Sequence, residues 1–173
     1  MYIVVGLGNP GEEYARTRHN SGRMVVEYLE RKELSGVKFL HLDTFMNKSG
    51  PAVAKAMVGK GVKKLIVIYD DLDLGLGTMK ISYNRSSGGH RGLESIIRAL
   101  KTEEFIRIRI GISPTTPSGK LKKPKGEKDV EKHILGEFKK SEIEILKKVF
   151  KKVSEAVETI VEEGREIAMN RFN

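Results

Sequence analysis

The stretch Leu65-Ile66-Val67-Ile68-Tyr69, followed at once by Asp70-Asp71-Leu72-Asp73, decides how this chain reads. An apolar run with no polar alternation describes a strand covered on both faces, the pattern of a central parallel strand. Such a strand needs helices above and below the sheet, and the flanking sequence supplies them. Upstream, Tyr2 to Val5 is a second unbroken apolar run that ends in the turn-rich loop Gly6-Leu7-Gly8-Asn9-Pro10-Gly11. Asn20 or Ser21 can cap a helix whose apolar stripe is Met24, Val25, Tyr28 and Leu29, running through Leu34. Val37 to Leu42 predicts another strand; a polar loop from Asp43 to Gly50 follows, and Pro51 opens a short helix to about Met57. Downstream, Gly75 and Gly77 turn the chain into an alternating strand at Met79, Ile81 and Tyr83. A loop spans Ser86 to Gly92. Leu93, Ile96, Ile97 and Leu100 mark a helix, and Phe105 to Ile112 a further strand. Residues 113–128 read as a Pro/Gly/Lys loop, and Ser141 to Ala168 as one long amphipathic helix. This order predicts a single three-layer α/β domain over residues 1–173: a mixed, mostly parallel twisted sheet flanked by helices, with no internal repeat.

At 173 residues such a domain buries enough surface to fold without disulfides or a structural metal. The absence of Cys removes thiolate catalysis and Cys-ligated zinc. The apolar runs fall far short of the roughly 20 residues that span a bilayer, so a cytoplasmic location is expected. The 32 Lys+Arg against 23 Asp+Glu give a formal net charge of +9, spread along the chain rather than carried on a tail. That sign favours polyanions, nucleic acid among them, although a Lys/Glu-rich thermostable surface explains it too.

Gly6-Leu7-Gly8-Asn9-Pro10-Gly11 matches the dinucleotide pattern G-x-G-x-x-G after a strand. A dinucleotide fold, however, starts its helix at the third glycine, whereas the capping signals here come nine residues later, and only Asp43 could serve the ribose. No cofactor is expected. His19 precedes a helix start, where the positive end of the dipole disfavours imidazolium and would keep a general base neutral. Asp70 follows the buried strand at its carboxyl end, the edge where open α/β sheets place their sites, and a carboxylate there can fix a histidine's tautomer. Asn9 and Asn47 sit in the loops after the first two strands, and both can reach that edge. There is no nucleophilic serine elbow, no zinc-binding His-Glu-x-x-His and no phosphate-loop lysine. Hydrolysis by base-activated water, or binding alone, remains. His90 follows Gly88-Gly89, whose backbone can face a phosphate or carbonyl or act as a hinge. His41 and His133 read as structural or solvated. Lys120, Lys122, Lys123, Lys125 and Lys128 form a basic loop able to meet phosphates.

These residues form an ordered set. Gly6 to Gly11, Tyr14, Thr17-Arg18-His19-Asn20 and Gly22 come first, followed by Thr44-Phe45-Met46-Asn47-Lys48-Ser49-Gly50, Tyr69 to Leu74, Gly88-Gly89-His90 with Gly92-Leu93, and His133 to Gly136. Together they resemble, end to end, the bacterial-type peptidyl-tRNA hydrolases, enzymes of a phosphorylase/hydrolase-like fold. The resemblance implies a metal-independent esterase that releases peptide from tRNA and recycles the tRNA. It implies His19 as general base, Asp70 as its orienter, Asn9 as reader of the blocked N-terminal side, and Asn47 as holder of the ester-linked residue and the water. Tyr14 and Phe45 would line the site for the tRNA 3′ end and Arg109 would meet a phosphate. Three departures stand out: Arg91 replaces the usual Asn; Ser82 stands where a basic residue is common, which shifts phosphate contacts toward Lys80, the lysine loop and Arg91; and the stretch between Leu34 and Thr44 is shorter than usual while the loop from Thr115 to Lys128 is more lysine-rich. A monomer without an obligate protein partner is expected. The alternative is a non-catalytic RNA-binding protein on the same scaffold, which the intact His19, Asp70, Asn9 and Asn47 disfavour.

Overall fold

In the computed structural model, which describes all 173 residues, the run at Leu65 is the middle strand of a five-stranded sheet. The strands are β1 (Tyr2–Gly6), β2 (Val37–Leu40), β3 (Leu65–Gly75), β4 (Met79–Tyr83) and β5 (Ile106–Ser113), in the order β2-β1-β3-β5-β4. All pairs are parallel except β4 with β5. The helices are α1 (Ser21–Glu30), α2 (Ser49–Ala56), α3 (Arg91–Leu100), α4 (Glu127–Ile134), α5 (Lys140–Glu162) and α6 (Arg165–Phe172).

Period-two alternation explains why an unbroken apolar run was needed in β3. Ile66 and Ile68 join Val4, Ile108 and Ile110 in a core beneath α1, α5 and α6. Leu65, Val67 and Tyr69 join Ile3, Val5 and Phe105 in a second core beneath α2 and α3. Each fully buried side chain of this kind contributes about 2 kcal/mol relative to exposure. Helix α1 sits so close to the sheet that a Cβ on Gly22 would meet the Ile68 carbonyl, and one on Gly6 the Gly22 carbonyl. Glycine at both places is a packing requirement, and it brings the residues before α1 directly over β3.

Several boundaries differ from the sequence reading. Strand β3 does not stop at Tyr69 but runs to Gly75, with a register shift against β5 between Asp71 and Gly75, so Asp70 lies inside the strand opposite Ile110. The long C-terminal helix is two: Gly164 takes φ +96°, which glycine alone adopts freely, and breaks it between α5 and α6. The turn lets α6 cover the open edge of β4, where Asn173 Oδ1 accepts from Ile81 N at 2.7 Å and its Nδ2 donates to the Ile81 carbonyl at 2.9 Å. Helix α4 rises at the end of the lysine loop, after Gly126 at φ +81°. Pro51 is the third residue of α2 rather than the first, still within the turn where its missing N–H has no cost.

Candidate active site

His19 lies on a short 3-10 turn (Arg18–Asn20) that delivers the chain into α1, and Asn20 holds the helix N-cap position. Asn20 does not cap. Its Oδ1 accepts from Asn9 N at 2.8 Å and its Nδ2 donates to the Asn9 carbonyl at 2.9 Å, so it clamps the backbone of the loop after β1. Asn9 Oδ1 in turn accepts from Met46 N at 2.8 Å, which ties that loop to the one carrying Asn47 and leaves the Asn9 amide N–H groups free. Segment 16–19 is also stitched to the end of α4 and the start of α5. Arg18 Nη1 donates to the His133 carbonyl at the end of α4, and Nη2 to Glu142 in the first turn of α5.

These ties bring His19 against Asp70. His19 Nδ1 lies 2.9 and 3.0 Å from the two Asp70 carboxylate oxygens, and both residues are buried. A second histidine completes the arrangement: His90 Nε2 is 2.9 Å from Asp70 Oδ1. His90 is the N-cap of α3, its Nδ1 accepting from Leu93 N at 3.3 Å. The tautomers follow. A ring nitrogen that accepts cannot carry the proton, so His90 presents Nε2–H to Asp70, and His19 presents Nδ1–H. His19 Nε2 then carries the lone pair, has no partner in the protein, and no serine or threonine hydroxyl is hydrogen-bonded to the ring.

Burial opposes charge on His19, but the Asp70 carboxylate outweighs it and raises the imidazole above its ordinary 6.5; the Arg91 cation works in the opposite direction. The helix-dipole expectation is thus reversed by a nearer and stronger charge. Burial likewise opposes ionisation of Asp70, yet the two histidines hold the carboxyl well below its ordinary value.

The set His19, Asp70 and His90, each offering a ligand atom within 4.8 Å of the others, has the spacing of a metal site. It does not fit one. The sole ring proton of His90 sits on the nitrogen a cation would need, and binding there would require an imidazolate or loss of the α3 cap.

The pair opens into a cleft of about 790 Å³. Asn9, Asn47, Tyr14, Phe45, Arg91 and Arg109 all line it. The Asn47 amide makes no hydrogen bond within the protein. Phe45 is 54% exposed, edge-on to Tyr14 with centroids 6.4 Å apart, so the cleft keeps an open aromatic face. Arg109 differs from its sequence reading: it is 5% exposed, its Nε already donates to Asp71 at 2.7 Å and its Nη1 to Ser82 at 3.3 Å. Lys80 is exposed on β4, in register with Arg109 but outside the cleft lining. Of the basic loop, Lys123 reaches the cleft and pairs with Asp73. His133 ties α4 to the Ile112 carbonyl and His41 pairs with Glu30, both away from the site. The sequence reading missed the His90–Asp70 contact and the wall formed by Val130, Ile134 and Leu135 of α4 and its end. A histidine immediately after Gly-Gly and before a helix was the available signal for the first.

A histidine held by a buried carboxylate at the carboxyl edge of a mostly parallel α/β sheet, with no side-chain nucleophile on its free nitrogen, is an arrangement suited to a hydrolase that activates water. Residues 3–173 match the sequence model of the family described as Peptidyl-tRNA hydrolase. Relatives of that name include one from Thermodesulfovibrio yellowstonii, 42% identical over 198 residues and covering 100% of this chain and 99% of its own, and one from Caldanaerobacter subterraneus, 41% identical over 194 residues with both chains covered in full. The crystal structure of peptidyl-tRNA hydrolase from Acinetobacter baumannii superposes with a TM-score of 0.88 at 29% identity, covering 100% of this chain and 94% of that one. The chain belongs to the peptidyl-tRNA hydrolase family.

Proposed function

We propose that this protein hydrolyses the ester joining a peptide, or an N-blocked amino acid, to the 3′-terminal ribose of tRNA, with His19 as general base. The observation that carries the reading is the unpartnered Nε2 of His19, held by Asp70 and open to the cleft. Nε2 takes a proton from water as the oxygen attacks the ester carbonyl, and the imidazolium returns it to the departing ribose oxygen. Asp70 keeps Nδ1 protonated and steadies the imidazolium. Asn9 directs its free amide N–H groups at the peptide carbonyl side, and Asn47 holds the ester-linked residue and the water. Tyr14 and Phe45 offer faces to the terminal bases of tRNA, where stacking contributes about 1–3 kcal/mol per base. Arg91, and Lys80 further out, meet the acceptor-stem backbone, with Arg109 set behind them by Asp71. Every one of these groups comes from a single chain, which supports a monomeric domain over residues 1–173, and a tRNA substrate assigns its work to the cytoplasm.

The test is release of N-acetyl-amino acid from its tRNA ester against release from free aminoacyl-tRNA, in EDTA, for the parent and His19→Ala. Rapid release from the blocked ester alone, lost in the variant, is expected. Salt-sensitive tRNA binding with no release would make the protein an RNA binder instead.

A further inference from the structure

Five cations line the cleft, and they separate by what they already hold. Arg109 is spent on Asp71, Lys123 on Asp73, and Arg91 reaches Glu127 at 3.4 Å. The side chains of Arg85 and Lys48 are exposed and make neither an ion pair nor a hydrogen bond. Arg85 belongs to the loop Asn84–Gly89, which enters through Asn84 at φ +49° and leaves through Gly88 and Gly89 at φ +58° and +82°. An open loop of this kind would be a poor platform for a specific contact unless something fixed it.

Arg107 fixes it. This side chain has no solvent exposure, lies 4.6 Å from the Phe105 ring centre, and its Nη1 donates to the Ser86 carbonyl at 2.7 Å while Nη2 donates to the Glu103 carbonyl at 3.4 Å. Its Nε has no partner and it forms no ion pair. A guanidinium buried without a carboxylate is costly, and an apolar residue would serve the core better. What Arg107 supplies is a fixed grip on one carbonyl of a cleft loop, next to the one residue there whose charge is unspent.

We infer that the Asn84–Gly89 loop is the cleft's phosphate handhold, in which Arg85 grips a phosphodiester of the RNA backbone and the buried Arg107 anchors the loop beneath it. The inference rests on the proposed tRNA substrate and names a contact for it. It also relocates the basic contact: the position at Ser82 holds a hydroxyl that only satisfies Arg109, and the free charge sits on the loop instead. Arg85 is a binding residue and Arg107 a positioning residue; neither takes part in the proton transfers.

The experiment measures kcat and KM for N-acetyl-aminoacyl-tRNA from 50 to 300 mM KCl, with the N-acetyl-aminoacyl ester of adenosine as a second substrate for the parent. Arg85→Gln is expected to raise KM about tenfold at low salt and to lower the slope of log KM against log salt by about one, with most of the effect in KM rather than kcat. Arg107→Met should reproduce the slope change and Arg107→Lys should recover part of it; if Arg107→Met does not fold, the Lys variant carries the comparison. Lys152→Gln, an exposed cation on α5, should leave the slope as it is. Parent-like KM and slope in Arg85→Gln, or an equal slope change in Lys152→Gln, overturns the handhold while leaving the hydrolase reading in place. A parent that cleaves neither ester refutes the hydrolase reading instead.

Discussion

Replacing Asp70 by Asn tests the core of the proposed chemistry, because it predicts a rate loss and a pH shift that can be read independently. Asp70 receives N–H groups from His19 at 2.9–3.0 Å and from His90 at 2.9 Å, and as a carboxylate it accepts from both. Asparagine has one oxygen. The His90 tautomer is locked by the α3 cap, so that oxygen takes the Oδ1 place that His90 needs and that lies 3.0 Å from His19 Nδ1. The amide nitrogen takes the Oδ2 place, 2.9 Å from His19 Nδ1. His19 then either leaves two N–H groups opposed, costing about 1–3 kcal/mol of stability, or moves its proton to Nε2 and loses the lone pair that activates water. The second response lowers kcat by about 10³ to 10⁴, equivalent to about 4–5 kcal/mol in the barrier. The pH profile gives an independent readout. Burial lowers the imidazole, Asp70 raises it, and in the parent Asp70 prevails, so kcat/KM should climb with pH through a value above 6.5. In the variant burial and the Arg91 charge remain unopposed, and the acid limb should move below 6.5 while the plateau falls. Stopped-flow release of N-acetyl-amino acid from tRNA between pH 5 and 9 reads both quantities. A plateau within a few-fold of the parent, or an acid limb that stays or moves up, would refute Asp70 as orienter of the base.

Further predictions follow from other contacts. His19→Ala should reduce turnover by about 10² to 10⁴ with tRNA affinity, measured by filter binding, nearly intact; an affinity loss matching the rate loss would make His19 a binding residue. Arg109→Met strands the Asp71 carboxylate, whose side chain is 13% exposed, and should cost about 3 kcal/mol in urea unfolding, so an unchanged midpoint would show that the pair is energetically idle. Asp70 is depressed in the folded state, so its stabilisation is present above its ordinary 3.8 and is lost as pH falls below it; the stability gap between parent and Asp70→Asn should therefore narrow in acid, and a gap that widens would reverse the assignment. Asn173→Ala removes both bonds to Ile81 and should cost about 1–2 kcal/mol and speed amide exchange at Ile81, whereas parent-like exchange would mean the β4 edge is protected without it.

The parts of this molecule that were legible in the sequence are those where one residue type has one physical meaning. Leu65 to Tyr69 cannot be satisfied except between two layers, and Asp70 after it stands at the edge where α/β sheets build sites. The breaks were less legible because they are decided by partners far along the chain. Asn20 has the chemistry of a helix cap, but its side-chain amide is taken up by the backbone of Asn9, so it clamps the loop after β1 instead. Gly164 sits within a pattern that continues to Ala168, and only the need to cover β4 makes the turn worth its strain-free φ. The charge on His19 shows the same dependence. Helix position alone argued for a lowered imidazole, and the sign changed because β3 runs on past Tyr69 and carries Asp70 to within 3 Å. Arg107 and Arg109 carry the point into function. Both are arginines on one face of the same strand, yet one pairs with a carboxylate while still lining the cleft and the other is buried on a backbone carbonyl. Counting basic residues therefore says little about where a phosphate could be held in this fold; the pairing of each cation narrows the cleft to Lys48 and Arg85, and the Arg107 anchor beneath the loop favours Arg85.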